Sequence, residues 1–329
     1  MATPAPEIRI DPLSGLRVIV APGRAARPAA GLDVAPAAPI DPEHDPFAAG
    51  HEDRTPPELC AVRPGGGDAD GPAWTVRVVP NAFAALCEDA PTPERDAVAD
   101  LFTALPARGR HEVIVNSPQA VTSLAELPVD QVMACMEVWR ERMRAQSAAY
   151  PHLVVNERVE AGATLPHTHA QLFALDFVPA AVARERERFS AHAARTMGAN
   201  LLEDLVQEEV RRRVRIVAID DEAVLLCPYA SRSPYALMLV PRRRRERFED
   251  DGPTGAALLH DGLSRLRRRF GASPPLNLWV RTAPRDAERF CWRIDVVPRL
   301  TPRAGLELGT GVELNVVAPE QAAAQLRDA

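Results

Sequence analysis

One stretch concentrates the chemistry: Asn156-Glu157-Arg158-Val159-Glu160-Ala161-Gly162-Ala163-Thr164-Leu165-Pro166-His167-Thr168-His169-Ala170-Gln171. His167 and His169 stand two residues apart at the mouth of an apolar segment. The alternation of a strand points both rings to one face, and Gln171 continues that face. Three polar side chains in register on an apolar strand are costly unless they bind something. Imidazole is a nucleophile toward phosphorus, and the phosphoramidate it forms is labile enough to hand the group on. A neighbouring carbonyl fixes the ring tautomer and leaves the other nitrogen free. Gln171 adds a neutral N–H donor for a phosphoryl oxygen as charge builds. Gly162 and Pro166 are expected to shape a loop whose backbone N–H groups face the same anion. A His-x-His pair alone is shared with surface histidines and zinc ligands.

Composition narrows the chemistry further. All 39 residues counted as Lys+Arg are arginine, which excludes a lysine Schiff base, a lysyl-nucleotide intermediate and a phosphate-loop lysine. Phosphate must be held by arginine forks, backbone amides, histidine or a metal. A net charge of −6 speaks against a nucleic-acid partner. The arginine runs at 211–213, 242–245 and 267–269 read as solvated ends of elements. Cys60, Cys87, Cys135, Cys227 and Cys291 are odd in number and widely spaced, so buried free thiols are expected rather than a disulfide framework or a thiolate zinc site. No run approaches the roughly 20 apolar residues of a membrane span, and the start has no signal-peptide pattern. The expected location is the cytoplasm, away from membranes.

The elements that must position these residues read as α+β. A proline-rich first seventy residues carries one clear strand, Leu16 to Val20, and Trp74 to Val79 alternates as another. Thr92-Pro93-Glu94 predicts a helix start. His111 to Asn116 reads as a strand, and Asp130 as the cap of a helix whose apolar stripe is Val132, Met136, Trp139 and Met143. Leu153 to Asn156 and Ala170 to Leu175 read as antiparallel neighbours. Helices follow at Ala180 to Ala194 and Leu201 to Arg212, then strands at Val214 to Ile219, Ala223 to Leu226 and Ala236 to Val240. A helix from Thr254 to Arg269 and strands at Leu276 to Val280 and Cys291 to Val297 complete the pattern. The second half repeats the first in outline, which predicts two halves, 1–179 and 180–329, with the boundary near Pro179.

The pattern Gly-x-Thr-x-Pro-His-x-His-x-Gln after an Asn-bearing strand resembles the active-site signature of the galactose-1-phosphate uridylyltransferase family, the nucleotidyltransferase branch of the histidine-triad superfamily. The resemblance extends to Arg9 through Gly15, Ala21 through Pro28, Asp53 through Glu58, Arg77 through Phe83, Pro228 through Arg232, and Pro298 through Gly311. It implies two histidine-triad-like halves forming a mostly antiparallel sheet with packed helices, usually as a homodimer acting on a nucleotide sugar and a sugar phosphate. It further implies a role in galactose and carbohydrate metabolism. In that likeness His169 is the nucleophile and Gln171 contacts the transferred phosphoryl group. Asn156, Gly162, Thr164 and His167 fall in the phosphate-side motif, with Thr for the more usual Ser, and Arg24, Arg27 and Asn81 fall at nucleotide-contacting positions; without lysine the phosphate clamp must be arginine, with Arg24, Arg27 and Arg303 as candidates.

The family's metal positions depart from pattern. Its zinc is carried by a Cys-Pro-x-Cys pair, a Ser-Pro-x-His turn and the first histidine of the His-x-His. Here those positions read Asp45-Pro46-Phe47-Ala48 and Ser117-Pro118-Gln119-Ala120, leaving only His167, and one imidazole cannot close a tetrahedral site. A second site in the other half is replaced near Asn200, Glu203, Arg244, Cys291 and Arg293, with Glu185 kept. No cofactor or metal is expected, and arginine pairs around Arg244 and Arg293 would replace its stabilisation. A rebuilt site from His44, Asp45, His51 and His167 is the alternative. The implied reaction is ping-pong transfer of a nucleoside monophosphate, UMP first, from a nucleotide sugar to a sugar 1-phosphate. Alternatives are a phosphorylase or hydrolase of the same fold, and a non-catalytic nucleotide-sugar-binding paralogue.

Overall fold

A computed structural model describes residues 5–26, 32–94, 96, 98 and 101–329. Two strands open the chain, β1 (Glu7–Ile10) and β2 (Arg17–Val20). The main sheet follows, made of β3 (Cys60–Val62), β4 (Val76–Pro80), β5 (Gly109–Val115), β6 (Tyr150–Glu157), β7 (His169–Leu175), β8 (Ile216–Ile219), β9 (Ala223–Leu226), β10 (Leu237–Pro241), β11 (Leu276–Arg281) and β12 (Arg293–Pro298). The last strand, β13 (Glu313–Asn315), pairs parallel with β2, and with β1 they form a separate three-stranded sheet. The helices are α1 (Val129–Arg144), α2 (Ala180–Thr196), α3 (Leu201–Arg212), α4 (Ala256–Phe270), α5 (Gly305–Thr310) and α6 (Pro319–Arg327).

The main sheet runs β3-β4-β5-β7-β6-β11-β12-β10-β9-β8 with every neighbour antiparallel. Read from each outer edge inward, both halves have the same order, and they meet at the β6·β11 pair. The fold is α+β, as expected. One face carries Ile114, Leu153, Ala170, Leu172, Leu278 and Ile294 into a core shared with α1, α4 and α6, where Trp139 and Met136 are fully buried. The other face is treated differently in the two halves. Under α2 and α3 it packs Val224, Leu226, Met238 and Val240 against Phe189 and Leu202. In the first half, among the described residues, Phe47, Trp74 and Leu165 lean on it, over Val113 and Val115. The uncovered stretch between them is where the polar strand residues emerge.

Several expectations are corrected. Among the described residues of 91–98 none is helical. Val98, Leu101, Phe102 and Leu105 stay exposed, so a cap and a proline had no apolar face to anchor a turn. The first seventy residues hold β1 and β3 as well as β2. Helix α1 begins at Val129 after Pro128, with Asp130 in its first turn rather than at the cap. Asn200 caps α3, accepting from the N–H groups of Leu202 and Glu203. Among the described residues no helix is long and apolar enough to cross a membrane.

Candidate active site

His169 opens β7 opposite Val115. Its Nδ1 lies 2.8 Å from the carbonyl oxygen of His167. A carbonyl only accepts, so Nδ1 carries the proton and Nε2 keeps its lone pair. Among the described residues nothing in the chain takes that lone pair. Burial lowers the ring's affinity for a proton, and the neighbouring His167 adds to this, against the opposing carbonyl bond. A neutral imidazole with one bare nitrogen is the form that attacks phosphorus.

Gln171 shares the face of His169 one alternation along β7. Its Oε1 lies 3.0 Å from Nε2 of His111 on β5. The other ring nitrogen of His111 accepts the N–H of Ala85 at 3.2 Å, so the proton sits on Nε2 and donates to Gln171. That fixes the amide with its N–H groups free of any acceptor among the described residues. His111 stacks on Phe173, with ring centroids 4.0 Å apart, and burial depresses its pKa despite the bond to Gln171. The side-chain nitrogen of Asn81 lies 3.1 Å from the same Nε2, a proximity of two donors in this tautomer and not a second hydrogen bond, so Asn81 stands in a row with His111 and Gln171 while its Oδ1 accepts from Phe83. Beside it opens a cavity of about 320 Å³ lined by Pro80, Asn81, Leu86 and His111 among others.

Asn156 lies on the other flank. Val155 pairs with Ala170, which sets Asn156 beside His169 on the open face. Its Oδ1 accepts from Asn277 across the seam between halves at 2.8 Å, turning its own N–H groups outward. Gly162 has φ +89° with nothing near a would-be Cβ, a left-handed cap that ends a short 3-10 turn and requires glycine. The loop amides differ from expectation. Those of Ala161, Gly162 and Ala163 are spent on the carbonyls of Arg158 and Val159. The N–H groups of Thr164, Leu165 and His167 find no acceptor among the described residues, and the Thr164 hydroxyl is exposed.

His167 is placed differently from its neighbours. Its ring is fully buried, with Nδ1 2.6 Å from Asp45 Oδ2 and Nε2 2.8 Å from the carbonyl of Ser117. Both nitrogens are therefore occupied inside the protein, and substrate contact by this ring is set aside in favour of an internal role. His44 instead bonds Asp41 at the surface, and His51 bonds the backbone carbonyl of Asp45. Among the described residues no group of three or more His, Cys, Asp or Glu converges as a metal site would require. The rebuilt site from His44, Asp45, His51 and His167 does not form.

In the second half, Arg293 sits where a metal is implied by the resemblance. It makes a fork with Glu185 at 3.0 Å on both branches and reaches Asp295 at 3.1 Å. Arg281 stands 3.5 Å from Glu185. A guanidinium already filling the centre does not fit a cation. Arg244, expected to take part, is exposed and pairs with Glu246. Cys291 is buried, its thiol pushed up to about 11 by burial.

Arg24 lies exposed after β2 on the arm, which packs through Val18 and Val20 against Ala230. Among the described residues no hydrogen bond or ion pair joins it to the His169 row. Arg27 lies outside the described residues. Arg303 pairs with Glu313 at 2.8 Å. His111 and Asn277 were not found from sequence, because what selects them is sheet register, which spacing along one chain does not carry.

The sequence model described as galactose-1-phosphate uridyl transferase, N-terminal domain, matches residues 2–179. The chain is 26% identical over 337 residues to ADP-glucose phosphorylase of Arabidopsis thaliana, covering 98% of this chain and 93% of that protein. It is 28% identical over 296 residues to galactose-1-phosphate uridylyltransferase of Haemophilus influenzae, covering 87% and 81%. Among solved structures, an ADP-glucose phosphorylase from Arabidopsis thaliana with bound ADP-glucose superposes with TM-score 0.81 at 24% identity, covering 99% of both chains. A uridylyltransferase mutant does so with TM-score 0.76 at 24% identity, covering 98% of this chain and 97% of that one. At these identities the structural likeness is one of fold.

Proposed function

Because the chain belongs to the galactose-1-phosphate uridyl transferase family, we propose that it moves a nucleoside monophosphate from a nucleotide sugar to a phosphate acceptor through a covalent intermediate on His169. The observation that carries this is the fixed tautomer of His169, with Nδ1–H tied to the His167 carbonyl and Nε2 bare. Nε2 attacks the α-phosphorus, the N–P bond forms, the P–O bond to the sugar phosphate breaks, and the sugar 1-phosphate leaves with the electron pair. The ring becomes cationic, which strengthens its Nδ1–H bond to the carbonyl. An acceptor phosphate oxygen then attacks the same phosphorus, the N–P bond breaks, and neutral His169 returns.

Gln171, its amide set by His111, donates to a non-bridging oxygen as charge builds; Asn156, Thr164 and the free amides of the 164–167 loop supply further donors. The cavity beside Asn81 and His111 is our site for the base and ribose. The acceptor in the leading reading is a sugar 1-phosphate. A second reading, with inorganic phosphate as acceptor, draws on the similarity to ADP-glucose phosphorylase over nearly the whole chain. Phosphorus NMR separates them: UDP-glucose and ADP-glucose are each incubated with galactose 1-phosphate and with inorganic phosphate. A new nucleotide sugar supports the first reading, and a nucleoside diphosphate formed only with phosphate supports the second. Unchanged spectra in all four mixtures contradict both.

A further inference from the structure

We propose that Asp45 is a positioning residue, which holds His167 as a charged double donor and through it aims His169, in the place where the resemblance implies a metal. Asp45 lies 122 positions from His167 in sequence, yet their side chains meet at 2.6 Å with 2% and 0% exposure. On the far side of the ring, Nε2 faces the Ser117 carbonyl at 2.8 Å. A carbonyl and a carboxylate both accept, so the ring satisfies both only by donating at both nitrogens, and an imidazole with two N–H groups is a cation.

The other arrangement, a protonated Asp45 donating to a neutral ring, keeps the same contacts, but hydrogen bonds received by the carboxyl favour its ionised form. Its second oxygen accepts the N–H of Phe47 at 3.0 Å. Burial alone would raise its pKa, but the bonds from His167 and Phe47 overcome that and hold it below the ordinary carboxylate value. The pair is thus neutral as a unit, with its hydrogen-bonding capacity used. This is the condition under which a buried charge is tolerated.

The consequence reaches the attacking nitrogen. A ring clamped at both ends leaves the His167 backbone little freedom, and its carbonyl is the group that receives His169 Nδ1–H at 2.8 Å. Phe47, two residues beyond Asp45, sets its edge against both rings, with centroids 6.1 Å from His167 and 5.3 Å from His169. His51 fastens the Asp45 backbone carbonyl from the other side of the loop at 2.8 Å. The loop from Asp45 to His51, the clamped ring and the nucleophile form one continuous chain of contacts. Asp45 touches no reacting atom; its effect passes through His167.

The test uses the full chain and Asp45→Asn, which keeps size and one acceptor but removes the charge. Asp45→Ala would strand the cation and unfold the loop. Nitrogen NMR of histidine-labelled protein reads the rings directly: both nitrogens of His167 should carry a proton, with His169 protonated at Nδ1 only. In Asp45→Asn, His167 should become a neutral tautomer. The kinetic arm rests on the proposed nucleotidyl transfer. There kcat should fall about 10- to 100-fold, the loss expected of a misaimed group, with KM for the nucleotide sugar nearly unchanged. Elemental analysis should find no stoichiometric metal in the purified protein, and chelation should leave its activity intact.

A neutral His167 in the unaltered protein would overturn the proposal. So would one bound metal per chain whose removal abolishes activity, or an unchanged kcat in Asp45→Asn. If neither protein turns over any nucleotide sugar, the transfer reading fails while the ring and metal measurements still decide the role of Asp45.

Discussion

Replacing Arg293 with methionine should be among the most damaging single changes in the second half, and the structure sets its size. The guanidinium is 2% exposed and makes two contacts with Glu185 at 3.0 Å and two with Asp295 at 3.1 Å. Three nitrogens donate, Nε sharing its one proton between both Asp295 oxygens, and at about 1.5–3 kcal/mol for each bond to a charged group the gross attraction is on the order of 5–9 kcal/mol. Desolvating the arginine and its partners offsets much of that. The net cost of removing one partner from a buried pair is about 3–5 kcal/mol, because Glu185 is left charged and buried with Arg281 at 3.5 Å. Glu185→Gln combined with Arg293→Met removes both charges and should recover about 2 kcal/mol or more of that loss.

The pairing also fixes a pH sign. Burial would raise the Glu185 pKa, but Arg293 and Arg281 hold it below the ordinary value. Its stabilisation is therefore present above the unfolded carboxylate pKa of about 4.3 and lost as pH falls through the lower folded value. Urea unfolding followed by far-ultraviolet circular dichroism gives each term at pH 7. A double variant as unstable as Arg293→Met, or a single variant losing less than about 1 kcal/mol, would refute the assignment of this cluster as a buried, coupled ion pair.

His111→Phe keeps the stack on Phe173 and deletes the N–H that holds Gln171. Its kcat should drop roughly tenfold, less than the 10²–10³ expected for Gln171→Ala, as steady-state kinetics would show. His152 is driven down to about 4 by burial and then by the charge of Arg281, with Tyr150 as its ring neighbour. Its folded pKa lies below the unfolded value of about 6.5. The stability tied to its neutral form is present above that value and lost as pH falls toward 4. His152→Phe should flatten this acid limb by about 1–3 kcal/mol in urea titrations at pH 7 and pH 5. Gly109→Ala drives a Cβ into the carbonyl oxygen of Ala174, at a φ of +144°. It should cost about 3 kcal/mol or more by calorimetry, whereas Gly271→Ala, with open space around it, should cost only about 1–2 kcal/mol of backbone strain.

Much of the scaffold was legible where a period and a buried face agree. The stripe Val132, Met136, Trp139 and Met143 became the core side of α1, and Leu201 to Arg212 matched α3 to the residue. The strands around His169 were legible for the same reason, since their alternate residues separate a helix-covered face from an open one. The elements that escaped are short or lean on distant partners. β1 and β13 are three- or four-residue strands completed by β2, and α5 spans six residues. The stretch after Pro91 had the local grammar of a helix but no core to bury it. The His169 motif was visible as a motif, while its supports were not. His111 and Asn277 reach the site from 58 and 108 positions away, through sheet register that one sequence does not state, and Asp45 was grouped with His167 only as a metal ligand. The arginine that replaces the implied metal was anticipated at Arg293, with Glu185 kept at the same site, but its second partner, Asp295, became clear only from the structure.

The proposed transfer requires a nucleotidyl group to rest on His169. Intact-protein and peptide mass spectrometry after incubation with UDP-glucose or ADP-glucose, without acceptor, reads this directly. The prediction is one added nucleoside monophosphate per chain, located on the peptide containing His169, absent from His169→Ala and discharged when galactose 1-phosphate or phosphate is added. No adduct with either donor, or an adduct that persists in His169→Ala, would contradict it.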